Sequence, residues 1–247
     1  MTEVTFGLGG IKNYSYICKM KKINVTLLSD THTKHMNVGV LGGDLILHSG
    51  DIMNSGYDPE DLYEFLQWFS ELPYKMKVFI PGNHDRLIED KPWDAWKMIN
   101  EFHDKGVRCL IDDFVEFEGL KIYGSPWQPE FFNWAFNLPR NGKELEEKWN
   151  AIPDDTDILL THGPAWGILD TVVNRRDVNL GCELLTKRFE TLNPLLHLCG
   201  HIHTGYGYVE KNGTHFFNAS VLDERYRYKQ KPFEITIDLE TKQLDIL

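Results

Sequence analysis

Five apolar runs in this chain end in the same kinds of residue. Leu27-Leu28 leads into Ser29-Asp30-Thr31-His32, and Leu45-Ile46-Leu47 into His48-Ser49-Gly50-Asp51. Val78-Phe79-Ile80 leads into Pro81-Gly82-Asn83-His84-Asp85, and Ile158-Leu159-Leu160 into Thr161-His162-Gly163. Residues 195–199 lead into Gly200-His201-Ile202-His203. In layered α/β proteins the carboxyl ends of strands are where ligands bind. Asp30, His32, Asp51, Asn83, His162, His201 and His203 together offer carboxylates, imidazoles and one amide oxygen, with no thiolate. Mixed N/O ligation suits divalent Mn, Fe, Zn, Ni or Co. The set exceeds what one ion needs, and two ions sharing a carboxylate would use all of it. Asp30 and His32 stand two apart, as do His201 and His203. At a strand end only a turn just beyond the ladder can aim such a pair at one ion. Gly50, Gly82, Gly163 and Gly200 adjoin candidate ligands, as tight turns and close backbone approach require.

The elements behind these ends alternate. Ile23-Asn24-Val25-Thr26-Leu27-Leu28 has the β-branched content of a buried strand. Asp58 can cap a helix that starts with Pro59 in its first turn. Leu62, Phe65, Leu66 and Phe69 then fall at i, i+3, i+4 and i+7, one buried stripe. Further helices are predicted over 93–103 and 182–189. Strands are predicted near 114–115 and 121–123, with Glu118-Gly119 between them as a turn. The tail, over 207–209, 214–218 and 233–239, reads as strands, with Lys211-Asn212-Gly213 as the first turn. The fold expected is α/β: a layered β-sandwich flanked by helices, with its site at the carboxyl ends of the strands. Residues 1–19 carry Gly7, Gly9 and Gly10 and no helical period. They read as an N-terminal extension, with one domain over 20–247 and Met20 a candidate natural start.

The chain has 247 residues, with 26 Lys and Arg against 37 Asp and Glu, for a net charge of −11. An acidic chain without a basic block argues against an extended nucleic-acid surface and against an electrostatic membrane anchor. Its 42% hydrophobic content supports a large core. Cys18, Cys109, Cys182 and Cys199 are too sparse for a disulfide framework. With no signal-peptide pattern and no apolar run long enough to span a bilayer, a cytoplasmic protein is expected.

Read in order, Asp30-x-His32, Gly50-Asp51, Gly82-Asn83-His84-Asp85, His162 and Gly200-His201-x-His203 resemble the calcineurin-like metallophosphoesterase superfamily. Gly124-Ser125-Pro126-Trp127, residues 131–140, Thr161-His162-Gly163-Pro164 and Asn218-Ala219-Ser220 look like the branch holding the animal metallophosphoesterase-domain (MPPED-like) proteins. The resemblance implies a first metal on Asp30, His32 and His203. It implies a second on Asn83, His162 and His201, with Asp51 bridging. It implies manganese first, with Fe, Zn, Ni, Co or Mg as alternatives. It also implies in-line attack on phosphorus by a hydroxide held between the two ions. His84 would be general acid or transition-state stabiliser, with Asp85 orienting it. Phosphoprotein phosphatases of the superfamily carry Asp-Arg-Gly after the bridging Asp and Glu after the Asn-His. This chain has Asp51-Ile52-Met53 and Asp85 instead, which favours the phosphodiesterase branches. Small phosphodiesters, cyclic nucleotides first, are the expected substrates. A nuclease or phosphomonoesterase on the same metal core, or a non-catalytic scaffold, is the alternative.

The remaining polar and aromatic residues get plainer readings. His35 is expected in solvent and His48 in packing near the site. Trp127, Phe131, Phe132, Trp134 and Phe136 are expected to pack as a secondary core rather than stack a base. Asn137 and Arg140 could reach a phosphate from that loop. The run Arg225-Tyr226-Arg227-Tyr228-Lys229 is expected to form a solvated loop or lid.

Overall fold

The computed structural model describes residues 21–172 and 175–247, so the proposed extension over 1–19 lies outside them. Two six-stranded sheets make up the body. In chain order the first sheet takes β1 (Lys22–Leu28), β2 (Gly43–His48), β3 (Tyr74–Phe79) and β4 (Val107–Cys109). The second takes β5 (Asp113–Phe117), β6 (Leu120–Ser125), β7 (Ile158–Thr161), β8 (Leu196–Cys199), β9 (Gly207–Lys211) and β10 (Thr214–Asn218). The chain then returns to the first sheet with β11 (Phe233–Asp238) and β12 (Leu244–Ile246). The orders are β12-β11-β1-β2-β3-β4 and β9-β10-β8-β7-β6-β5. Strands β1 to β4 run parallel, as do β6, β7, β8 and β10. Hairpins close the outer edges: β5 with β6, β9 with β10, and β11 with β12.

Alternation along the strands explains the layering. Val25, Leu27, Leu45, Leu47 and Val78 point inward and meet Ile122, Ile158, Leu160, Leu196 and Leu198 of the other sheet. The alternate residues Leu28, Ile46 and Phe79 point outward. There they meet Leu62, Phe65, Leu66 and Phe69 of α1 (Pro59–Glu71), Leu87 and Ile88 of α2 (Arg86–Asp90) and Ile99 of α3 (Pro92–Asn100). On the far side Tyr123, Leu159 and Phe216 meet Leu145 and Trp149 of α4 (Lys143–Asn150) and Leu185 of α5 (Glu183–Arg188). The result is helix, sheet, sheet, helix, as expected for a flanked sandwich. Asp58 caps α1 by accepting from Glu60 N–H at 3.0 Å, with Pro59 in the first turn. Among the described residues no helix is long and apolar enough to cross a membrane.

His197 occupies an outward position on β8, against Phe189 and Phe216. The Thr161 hydroxyl donates to Gly163 O, so His197 Nε2–H donates to Thr161 Oγ1 at 2.8 Å. Its Nδ1 has no partner among the described residues, and burial pushes the imidazole down to about 3. Between pH 6.5 and 3 the unfolded chain therefore holds a proton here that the folded chain does not. Stability falls with falling pH across that window, by up to about 1.4 kcal/mol per unit from this group. Urea unfolding at pH 7 and pH 5 checks this. His197→Met should retain more of its stability at pH 5 than wild type, and parallel losses in the two proteins would count against it.

Candidate metal centre

Four of the seven candidate ligands stand in an unusual backbone conformation. Asp30, His32, Asp51 and His201 have positive φ, at 55°, 38°, 57° and 66°. Such conformations cost non-glycine residues about 1–3 kcal/mol each and persist where surrounding structure enforces them. Here they let Asp30 and His32, two residues apart, face one point. Gly82 and Gly200 are needed for a different reason. A Cβ on Gly82 would collide with the Asp51 carboxylate and the His162 ring, and one on Gly200 with Asp30 and Ser29.

The ends of β1, β2 and β3 and those of β7 and β8 meet across the seam between the sheets. Asp30, His32, Asp51, Asn83 and His162 are buried, and His84, His201 and His203 are partly so. Three ligand groups form there, with the ligating atoms of each within 4.8 Å of one another. They are Asp30–His32–His203, His32–Asp51–His84 and Asp51–His162–His201. Asn83 joins the last, its Oδ1 lying 2.9 Å from His162 Nε2. Asp51 stands between His32 and His162, each 3.4 Å from a different carboxylate oxygen.

The surroundings fit divalent cations. His32, His162 and His203 bond through Nδ1 to the carbonyls of Met53, Ser49 and Asp223, at 3.1, 2.9 and 2.9 Å. That fixes the tautomer and turns the Nε2 lone pair of each neutral ring toward the centre. His32 Nε2 is buried there with no hydrogen-bond partner among the described residues. Electrostatics agree. Burial opposes charge on His162, but the Asp51 carboxylate outweighs it and pushes the ring up to about 9. Asp30 does the same to His203, also up to about 9. Burial would raise both carboxyls, yet His203 holds Asp30 down and His162 holds Asp51 down. Two buried carboxylates thus demand positive charge, which divalent ions supply.

The nearby residues take roles that differ from several expectations. Asp85 does not orient the His84 ring. Its buried carboxylate accepts from the backbone N–H of Gly82 (2.6 Å), Met53 (2.8 Å) and Ile52 (3.3 Å), tying the loop after β3 to the loop after β2. Burial, then the charge of Asp51, pushes its carboxyl up to about 7. The His84 ring is held instead through Nδ1 by Asn54 O, and it stacks on Trp134 at 4.1 Å. Asn137 and Arg140 are spent on structure. Asn137 donates to Phe131 O and Phe132 O, and Arg140 to Leu180 O, Gly181 O and Glu183. His35 is not in solvent but buried against Phe65 and Trp68. The aromatic stretch divides: Phe136 packs in the core, while Phe131 and Phe132 are 54% and 75% exposed at the site's rim.

Three contributors carried no assigned role in the sequence reading. Ser220 donates to Asp30 Oδ2 at 2.7 Å. Asn218 holds Gly200 O and Ile202 O through its amide NH₂, and its Oδ1 accepts from the Ser220 backbone N–H. Asn218 ends the apolar strand β10 and Ser220 follows it, so the strand-end pattern read one strand further would have found them. Tyr226 packs its ring on His32 and His203 at 4.7 and 5.4 Å. Its loop is clamped by Asp223, whose carboxylate accepts from Arg225 N and from Arg227, while the Asp223 carbonyl holds His203. Residues 225–229 are expected as a solvated loop or lid; Tyr226 is 38% exposed and lines the cleft over the centre.

A flanked sandwich with acid, imidazole and amide groups converging at its strand ends has the donor set of a divalent-metal centre. The chain belongs to the calcineurin-like phosphoesterase family, whose pattern it matches over residues 23–205. It is 39% identical over 234 residues to human Metallophosphoesterase domain-containing protein 1, an alignment covering 87% of this chain and 70% of that one. A Caenorhabditis elegans UPF0046 protein is 34% identical over 256 residues, or 92% of this chain and 64% of that protein. One crystal structure has the same fold, with a TM-score of 0.66 at 15% identity, covering 92% of this chain and 99% of that one.

Proposed function

We propose that this chain hydrolyses small phosphodiesters with the aid of two divalent cations, manganese foremost, and that cyclic nucleotides are the first substrates to test. The observation that carries the reading is Asp51, whose carboxylate belongs to two ligand groups at once. Asp30, His32 and His203 would hold one cation, and Asn83, His162 and His201 the other, with Asp51 shared. When bound, such a pair supplies Lewis acidity, neutralising phosphate oxygens and acidifying a water.

The chain's own groups do the rest. The cleft over the centre, about 610 Å³, is walled by His84, Trp134, Phe131, Phe132 and Tyr226. The carboxylates beneath them, Asp30 and Asp51, are buried. His84, with Nδ1 engaged by Asn54 O, presents Nε2 to the cleft. A water oxygen bonds to phosphorus and the ester P–O bond breaks; the departing oxygen takes a proton from His84 Nε2, and the proton that the water gives up restores the ring. A linear diester gives a monoester and an alcohol, and a cyclic one gives a single monoester that carries the freed hydroxyl. An acidic exterior, net −11, favours a small ester over a long polyanion. A reducing, cytoplasmic setting suits Cys109, Cys182 and Cys199, which are buried free thiols.

Metal-free protein reconstituted with Mn²⁺, Ni²⁺ or Mg²⁺ tests this. It would be offered bis-p-nitrophenyl phosphate, p-nitrophenyl phosphate, cAMP, 2′,3′-cAMP and single-stranded DNA. Hydrolysis of the diesters is expected. Turnover of the monoester alone would overturn the diesterase reading, and no turnover with any metal would overturn the enzyme reading.

A further inference from the structure

An open pocket of about 640 Å³ lies between α4 and the β5–β6 hairpin. It shares no lining residue with the cleft over the metal centre. Sites for small ligands occupy roughly 300–1,000 Å³, so a whole small molecule fits here. Phe114, Leu138, Ala151 and Pro153 give it an apolar wall, and Phe114 is 46% exposed. Its charge is one-sided. Asp113 stands at the start of β5, and Glu144 and Glu147 stand three apart on α4, on one face of that helix.

The chain's own cations near this pocket are already engaged. Asp112 accepts from Ser125 Oγ (2.7 Å), Trp127 Nε1 (2.8 Å) and Lys148 Nζ (2.7 Å), and the Lys148 ammonium also lies 4.4 Å from the centre of the Trp127 ring. Lys143 pairs with Glu147 at 3.2 Å. Lys121 pairs with Asp155 and lies 5.0 Å from the centre of the Phe114 ring. Asp113 accepts only from the Phe114 N–H, and neither it nor Glu144 has a cationic partner among the described residues. A second observation is Tyr123 on β6, which packs among Leu145, Trp149 and Ile152 and is 3% exposed. Its hydroxyl has no hydrogen-bond partner among the described residues, yet it is not sealed, and the space it opens into is this pocket. Burial, then the charges of Asp112 and Asp113, pushes the phenol up, so both carboxylates lie near the hydroxyl. A nearly buried polar group left unmet is unfavourable, and a donor that reached it would recover that cost.

These groups define the ligand. It must be cationic, to answer Asp113 and Glu144. It is not a single metal ion, because among the described residues every set of three acidic or imidazole groups close enough to hold one ion lies at the metal centre. Its charges must therefore be spaced along a chain. The links between them must be apolar, to lie on Phe114, Leu138 and Pro153, and one charge must carry an N–H for Tyr123. We propose that this pocket binds an aliphatic polyamine, with one ammonium donating to the Tyr123 hydroxyl and others facing Asp113 and Glu144. No group of the metal centre takes part, so the site stands apart from the phosphodiesterase reading.

The test is isothermal titration of the full chain with spermidine and with butylamine, in excess Mg²⁺ so that the acidic metal centre does not compete, at about 0.1 M salt. One saturable site is expected, with spermidine bound about tenfold tighter than the singly charged amine, since each exposed ion pair adds roughly two- to fivefold. Tyr123→Phe leaves the net charge unchanged and removes an unpaired hydroxyl, so its thermal melt should match that of wild type. It should weaken spermidine about tenfold, the effect of one hydrogen bond to a charged group. Glu144→Gln, on the exposed face of α4 and clear of the core, should weaken it about threefold. No saturable binding, or butylamine bound as tightly as spermidine, would overturn the proposal without any variant. Undiminished affinity in Tyr123→Phe would reduce the binding to diffuse attraction by an acidic chain and overturn it too, as would undiminished affinity in Glu144→Gln.

Discussion

An Asp51→Asn protein is expected to lose more than about a thousandfold in kcat/KM for bis-p-nitrophenyl phosphate, and to purify with fewer bound ions. Replacing a mere outer partner of a metal ligand costs about 10–100-fold. Asp51 is more than that, because it faces His32 and His162 at once and sits in two of the three ligand groups. The amide keeps the shape and keeps an acceptor for the His84 backbone N–H, which Asp51 Oδ1 binds at 2.8 Å. What it removes is one negative charge in a buried site where two carboxylates face the imidazoles. Steady-state kinetics with excess Mn²⁺, read beside elemental analysis, separates lost affinity from lost chemistry. A variant within tenfold of wild type that still held two ions would show that Asp51 is not the shared ligand.

His84→Ala should behave differently. Loss of a general acid costs roughly 10²–10⁴-fold, while metal content should stay as in wild type. The geometry leaves two roles open to this ring, since its nitrogen also falls in a group with His32 and Asp51. Its stacking on Trp134 and its place in the cleft wall favour the acid. The leaving group provides the discriminating measurement. p-Nitrophenolate departs without a proton, and a ribose alkoxide does not. The loss should therefore be larger with 2′,3′-cAMP than with bis-p-nitrophenyl phosphate. Equal losses accompanied by lost metal would make His84 a ligand instead.

The strand ends were legible because an apolar run followed by Asp, His or Asn is a local pattern, and the layers because strand residues alternate faces. Leu45 and Leu47 go to one core and Ile46 to the other, as a period of two dictates. Three-residue edge strands such as Val107–Cys109 and Leu244–Ile246 carry too little pattern to be read. Side-chain partners were less legible still. Asp85 binds Met53 N–H across 32 positions, and Arg140 binds Gly181 O across 41. Nothing near either residue in the chain announces which loop will arrive beside it. A carboxylate next to a histidine looks like its partner, yet buried backbone N–H groups claimed Asp85. His35 sits among polar neighbours, and only the arrival of Phe65 and Trp68 buries it.

The candidate ligands come from both sheets: Asp30, His32, Asp51 and Asn83 from one, His162, His201 and His203 from the other. No contiguous half of the chain owns a complete set, so a proteolytic fragment that kept either sheet would keep only part of the chelate. Bound cations would act as rivets through the joint. Prising the sandwich open would mean surrendering them, and resistance to unfolding would climb with free cation as RT ln(1 + [L]/Kd). The same atoms that would activate a phosphate would then also lock the last gap in the fold.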